Sequence, residues 1–334
     1  MHNKQVLILG GTGVISRAIV AQLLAQGAAV TVVTRGNRSG VLPPAVEPIQ
    51  CNRHDLDRLA QQLAGRSFDY AIDVICFDEH DAADTLRLLR GRCRQLVVIS
   101  SVAVYKRPFR SIPTREEAEE LWDDPTYQYA FKKAAMERYL GDHSDGDPAI
   151  TIARPSLTFG PGARNVGVLR QNYGILERIR TGKPLVLFGD GTNPWSFSFA
   201  PDVARAVVGL LGNAAALGEQ FHIASREPTL WADLYRAFGR LVGVEPLFRH
   251  VPSALLYAAY PDLAGHIYFE KSYPGLFDDD KLQRALPGFR FEIDLATGVR
   301  QLVESWEHDR LAVDAARDRL EDELVRKIEA FSLA

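Results

Sequence analysis

Residues 6–16 read VLILGGTGVIS: a run of large apolar residues, three glycines within four positions, then the first turn of a helical pattern. Near-continuous hydrophobicity suits a strand buried on both faces. A glycine-rich turn joining such a strand to a helix can adopt backbone states closed to other residues and brings N–H groups close to a phosphate at the helix start. Gly10 suits the tight turn, and Gly13 lets the backbone approach a pyrophosphate. The third position of the GxxGxxG spacing is Ser16, small enough for helix–strand contact. Gly10, Gly11, Thr12, Gly13, Val14 and Ile15 are therefore candidate dinucleotide contacts, although the same residues would also make a turn that holds no ligand.

The flanking sequence repeats this alternation. QVLIL (5–9), AVTVVT (29–34), VEPIQC (46–51), DYAIDVIC (69–76), RQLVVISS (94–101) and AITIAR (149–154) read as strands. Helical periodicity occupies 13–26, 55–64, 79–91 and 128–141 between them. The pattern predicts an α/β fold, a doubly wound parallel sheet of the Rossmann type, with ligands at the carboxyl ends of the strands. After Arg154 the pattern changes: 159–167 is loop-like, 168–181 helical, 183–199 a hairpin or paired strands, 201–212 a helix, EQFHIA (219–224) a strand, and 229–242 a helix. Loops rich in Pro and Tyr run to about 292. Residues 1–160 with 195–225 are expected to form the dinucleotide-binding domain, and 161–194 with 226–306 a smaller C-terminal substrate-binding lobe. The stretch 307–334 is expected to be an amphipathic helix, packed or facing a dimer partner.

Lys and Arg total 39 against 42 Asp and Glu, so net charge is −3 and argues for neither nucleic acid nor an anionic membrane as partner. Cys51, Cys76 and Cys93 are an odd set without CxxC spacing, which fits a reducing cytoplasm. No run approaches the roughly 18 apolar residues of a membrane span, and the N-terminus does not read as a signal peptide. Eight scattered histidines without HxH, HExxH or a Cys/His cluster lead us to expect no metal.

The second strand ends in TRGNR, with Arg35 where a ribose-binding acid would select NAD, and Arg38 close behind. A guanidinium can grip a 2′-phosphate, which favours NADP; stacking on adenine with NAD bound is the alternative. Asp55 could accept from the adenine amino group or cap the next helix. Tyr129 and Lys133 stand four apart, on one helix face. Tyr127 has no such partner, and Lys132 is turned by about 100° from Lys133. A phenol with a pKa near 10 needs a cation to serve as acid–base at neutral pH, and Lys133 would supply it. Ser100 and Ser101, at the end of the fifth strand, could hold the substrate oxygen. A solvated helix face is the plain alternative for the Tyr–Lys pair.

Gly10-Gly11-Thr12-Gly13, the SSVAVY strand end (100–105) and Tyr129-x-x-x-Lys133, in that order and spacing, resemble the extended short-chain dehydrogenase/reductase family, in its sugar-nucleotide epimerase/dehydratase branch. RPSLTFGPG (154–162), GKPLVLFGDGT (182–192) and FAPDVARAV (199–207) extend the resemblance to about residue 306. It implies Tyr129 as catalytic acid/base, Lys133 as nicotinamide-ribose ligand and tuner of Tyr129, and Ser101 as the serine/threonine position. It also implies a homodimer, with 79–91 and 128–141 at a two-fold interface.

Departures from the pattern bear on the reaction. Val102 and Ala103 replace the Asp-Glu of the dehydratases, and neither can move a proton. Leu157 takes the place of an Asn that helps bind sugar nucleotides, and Trp195 that of an arginine that clamps the diphosphate. Lys271 or Arg284 could replace that contact or be plain surface charge. Trp195 could stack on substrate or close the lobe interface. DYAIDVICFDE (69–79) is similar to a subgroup with chloroplast stem-loop RNA-binding members. Its Cys76 could line the substrate pocket or pack as a small hydrophobe, while Asp73 is expected to cap the helix at 79–91. These features imply an NAD(P)-dependent sugar epimerase, acting on a nucleotide sugar, with Tyr129 as acid/base. The alternatives are an NADPH-dependent ketone reductase and a non-catalytic RNA- or protein-binding member. Lys106, Arg107 and Arg110 are the one basic stretch that favours RNA.

Overall fold

The structure is a computed structural model and describes residues 1–37, 39–144 and 146–332. The first half of the chain lays down β1 (Gln5–Leu9), α1 (Val14–Ala25), β2 (Ala29–Thr34), β3 (Glu47–Gln50), α2 (Leu56–Gln62), β4 (Tyr70–Asp73), α3 (Glu79–Leu89), β5 (Gln95–Ile99), α4 (Gln128–Asp142) and β6 (Ala149–Pro155). Then follow β7 (Leu157–Phe159), α5 (Gly174–Arg180), β8 (Leu185–Phe188), β9 (Pro194–Trp195), β10 (Phe197–Phe199), α6 (Ala200–Leu210) and β11 (Gln220–Ile223). The remainder is β12 (Thr229–Leu230), α7 (Trp231–Val242), β13 (Phe248–Val251), α8 (Ser253–Ala259), α9 (Pro261–His266), α10 (Asp280–Ala285), α11 (Leu295–His308) and α12 (Ala315–Ser332).

Seven parallel strands form one sheet in the order β11-β6-β5-β4-β1-β2-β3. The chain runs outward from β1 to β3 and then restarts at β4 on the other side of β1. The carboxyl ends of β1 and β4 therefore flank the switch point, where such sheets bind ligand. Alternation along β1 shows why both faces are apolar: Val6 and Ile8 pack under α1 and α6, and Leu7 and Leu9 under α2, α3 and α4.

A further core belongs to the lobe and gathers Trp195, Trp231, Phe238 and Trp306 with β8 and α5. The segment 183–199 is not a hairpin. Its strands β8, β9 and β10 pair with β13, β12 and β7 respectively and not with one another. Residues 243–292, read as loop, contain the three α-helices α8, α9 and α10 and a π-helical turn at Ile267–Lys271. Helix α12 packs on the lobe. Arg178, 2 % exposed, pairs with Asp318 at 2.7 Å, Glu321 at 3.2 Å and Asp322 at 2.8 Å. No described helix is long and apolar enough to cross a membrane.

Candidate active site

The turn after β1 is shaped for close approach. Gly10 has φ +84°, and a Cβ there would lie 2.5 Å from Ile75 Cγ2; one on Gly11 would lie 2.3 Å from Val32 Cγ1. Gly13 is extended and Val14 opens α1, so the N–H groups of the first turn and the helix dipole meet at Thr12 to Ile15. Ser16 is fully buried, and its hydroxyl accepts from the Gly13 N–H at 2.9 Å, an internal cap that glycine could not provide. Arg35 is exposed, with no hydrogen bond or ion pair to its guanidinium among the described residues. Arg38 lies outside the described residues. Asp55 is exposed at the start of α2, and its side chain makes no cap bond.

Asp73 does not cap α3; the side chain of Asp78 does, accepting from Asp81 N–H at 3.1 Å. Asp73 is instead fully buried, accepting from Arg53 Nη1 at 3.1 Å, Thr85 Oγ1 at 2.7 Å and Ile75 N–H at 3.0 Å. Arg53 also donates to the carbonyls of Ile75 and Asp81, at 2.7 and 2.8 Å. Burial pushes the Asp73 carboxyl up and Arg53 pulls it down. Sequence reasoning missed Arg53, which ties the loop after β3 to the loop after β4 and so fixes the cofactor end of the cleft.

A cleft of about 740 Å³ opens between sheet and lobe, lined by Val14, Ile15, Ser100, Ser101, Tyr129 and Lys133 on the sheet side. Tyr129 lies in the first turn of α4 and is 42 % exposed, its ring forming part of the cleft wall. Burial at the cleft wall raises the phenol's pKa above the ordinary tyrosine value, and the Ser101 hydroxyl, which lowers it, does not offset this. Lys133, one turn on, is 2 % exposed and donates to the carbonyls of Cys76 at 2.6 Å and Ile99 at 2.7 Å. Burial lowers its pKa. The charges that act on the phenol come from the lobe: Glu270 raises its pKa and Arg170 lowers it. Ser100 is 4 % exposed, and its hydroxyl has no hydrogen-bond partner among the described residues. An orphaned buried hydroxyl in the same cleft as Tyr129, and a glycine turn whose close approaches leave no room for side chains, fit a bound dinucleotide.

Several expected contacts lie elsewhere. Cys76 is fully buried and does not line the cleft; its thiol packs in the core beneath the sheet, and only its carbonyl reaches Lys133. Trp195 is fully buried in the lobe core, with Lys271 Nζ 4.3 Å from its ring centre, so it closes the lobe and cannot stack on substrate. Lys271 is itself buried in an ion pair with Glu270, and Arg284 is exposed and does not line the cleft. Glu270, delivered by the π-helical turn, accepts from the Tyr127 hydroxyl at 3.2 Å. Of the basic stretch, Lys106 pairs with Glu120 and Asp123, Arg110 pairs with Glu120, and Arg107 donates to the Val102 and Tyr105 carbonyls. That stretch presents no open basic groove. Asp278, Asp279 and Asp280 converge, but Arg226 pairs with all three.

The profile described as the NAD dependent epimerase/dehydratase family matches residues 6–224, from β1 through β11. The chain belongs to that family. It is an NAD-dependent enzyme of the extended short-chain dehydrogenase/reductase type. It is 32 % identical to the 2'-dehydrokanamycin reductase of Streptomyces kanamyceticus, over 72 % of this chain and 67 % of the relative. It is 25 % identical to the chloroplast stem-loop binding protein of 41 kDa b of Arabidopsis thaliana, over 74 % and 66 % of the two chains. Among solved structures, an epimerase of Methanothermobacter thermautotrophicus matches with TM-score 0.77 and 18 % identity, over 98 % of this chain and 95 % of its own. The UDP-glucose 4-epimerase of Thermotoga maritima, with UDP-glucose, matches with TM-score 0.73 and 17 % identity, over 91 % and 99 %. These structures share the epimerase/dehydratase fold.

Proposed function

We propose that the enzyme reduces a ketone on a sugar-type small molecule, with NADP favoured over NAD. When bound at the glycine turn, NAD(P) supplies the hydride chemistry. In this reading Thr12 to Ile15 take the pyrophosphate, Arg35 the 2′-phosphate, and Lys133 the nicotinamide ribose. Ser101 holds the substrate oxygen, and Tyr129 gives that oxygen its proton. The observation that carries this reading is the placement of Ser101, Tyr129 and Lys133 together on the sheet side of the cleft, with burial holding the phenol on its protonated side at neutral pH. A protonated phenol serves reduction directly. The 2'-dehydrokanamycin reductase, named for a reduction, supports the same direction.

Epimerisation of a sugar, such as a nucleotide sugar, through a transient ketone is the second reading. It is favoured by the family match and by Val102 and Ala103, which offer no extra acid–base group at the strand end. It requires only one, Tyr129. Dimerisation through α3 and α4 is carried with either reading. Absorbance at the reduced-nicotinamide band during turnover of sugar ketones separates them. Stoichiometric loss with product supports reduction, whereas turnover without net loss supports epimerisation and sinks the first reading.

A further inference from the structure

Arg170 occupies an unusual place. In the run 168–172, Val168 and Leu169 are fully buried and Gln171 and Asn172 nearly so, while Arg170 between them is exposed and lines the cleft. Its φ is +54°, a left-handed state that disfavours any residue with a Cβ and suits glycine. The neighbours impose that state. Val166 N–H donates to the Gln171 carbonyl at 2.7 Å, Val168 N–H to the Tyr235 hydroxyl at 2.8 Å, and Gln171 Nε2 to Glu321 Oε2 at 2.7 Å. Asn172 is fastened to the Ala312 carbonyl and to Asp314 N–H, at 2.9 and 3.1 Å. A turn pinned on both sides thus turns one long cation into the cleft.

The other charges there are committed or stand at the rim. Lys133 is spent on two carbonyls, and Lys271 is neutralised by Glu270, which Tyr127 also engages. Burial keeps His266 neutral. Asp262 is exposed at the start of α9. The Arg170 guanidinium has no hydrogen-bond or ion-pair partner among the described residues, and its charge reaches the Tyr127 and Tyr129 phenols and His266. An uncommitted guanidinium facing a cleft is a fork for two oxygens of an anion.

We propose that Arg170 grips an acidic group on the substrate, a phosphate, diphosphate or carboxylate, within reach of Tyr129. It does so from the lobe side, where Trp195 no longer offers a polar contact. This rests on the proposed use of the Tyr129 cleft and narrows its substrates to anionic ones.

The test measures binding of three probes to the NADPH-saturated protein: UDP for a nucleoside diphosphate, glucose 6-phosphate for a sugar phosphate, and glucuronate for a sugar acid. At least one should bind, more weakly as salt rises. R170Q should weaken that probe by about tenfold or more, and R170K by less, since a lysine keeps the charge but loses the fork. R170G suits the backbone state, so it should keep or raise Tm and keep the NADPH Kd while losing the probe. Failure of all three probes to bind the wild type, or R170G binding the probe as tightly as wild type, overturns the proposal. Y129F should leave probe affinity intact, so a Y129F protein that stays fully active would sink the proposed reaction without touching Arg170.

Discussion

At the level of single residues the decisive question is where a proton sits. Burial raises the pKa of the Tyr129 phenol and keeps it protonated well above neutral pH. Reduction should therefore run at a flat rate from about pH 6 to 9 as far as this group is concerned, and decline only as the phenol ionises at alkaline pH. The reverse oxidation, which needs phenolate, should climb with pH over the same range. Opposite slopes in the two directions are the expected outcome; parallel slopes would remove Tyr129 as the proton carrier. Y129F should lower kcat by about 10²–10⁴ while leaving the NADPH Kd within a factor of about two. K133M should act differently. It strands the Cys76 and Ile99 carbonyls beneath the sheet, costing roughly 2 kcal/mol of stability and weakening NADPH, as a urea titration and a fluorescence titration would show. Tyr129, Lys133, Ser101 and the glycines were legible because local spacing on one helix or one turn decides them. Arg53, Arg170 and Glu270 were not: their partners come from loops distant in sequence, and no periodicity marks them.

Among the elements, the strands of the parallel sheet were the most readable, since burial on both faces leaves a continuous apolar run. The lobe was less so. Its short strands pair across long gaps, β8 with β13 and β9 with β12, and a chain without alternation does not name its partner. Helix α12 shows what such long-range pairing does. Its Glu321 is fully buried, accepts from Val186 N–H at 2.8 Å and from Gln171, and pairs with Arg178. E321A would leave Arg178 and Gln171 short of a partner, at a cost of about 3 kcal/mol or more. Because Gln171 adjoins Arg170, this variant should also raise KM while kcat stays near wild type. A loss in kcat equal to the rise in KM would argue against a role confined to the substrate turn.

The molecule as a whole carries a buried polar cluster at the junction of sheet and lobe. His222 is fully buried beside Tyr105, with Nδ1 3.0 Å from the Asp278 carbonyl and Arg154, Lys281 and Glu116 nearby. Burial first, and the Arg154 and Lys281 charges after it, push its pKa down to about 3. Unfolded, a histidine titrates near 6.5. Between those values the unfolded chain binds the extra proton, so stability falls as pH drops below about 6.5, by roughly 1 kcal/mol over the first unit. Comparing urea midpoints at pH 7.5 and 5.5 for wild type and H222Q tests this: the variant should show the smaller difference. None of this was legible in the sequence, where the eight histidines look alike; only the packing of β11 against Tyr105 separates this one.

Gln171 and the carboxylate that holds it are 150 positions apart, whereas the last strand of the parallel sheet is complete by Ile223. A chain emerging from a ribosome can thus assemble its nucleotide half long before the clamp on the substrate turn has been translated. Cleavage in the connector at 309–314 would reopen that clamp in the finished protein, leaving dinucleotide affinity in place and slackening the hold on substrate.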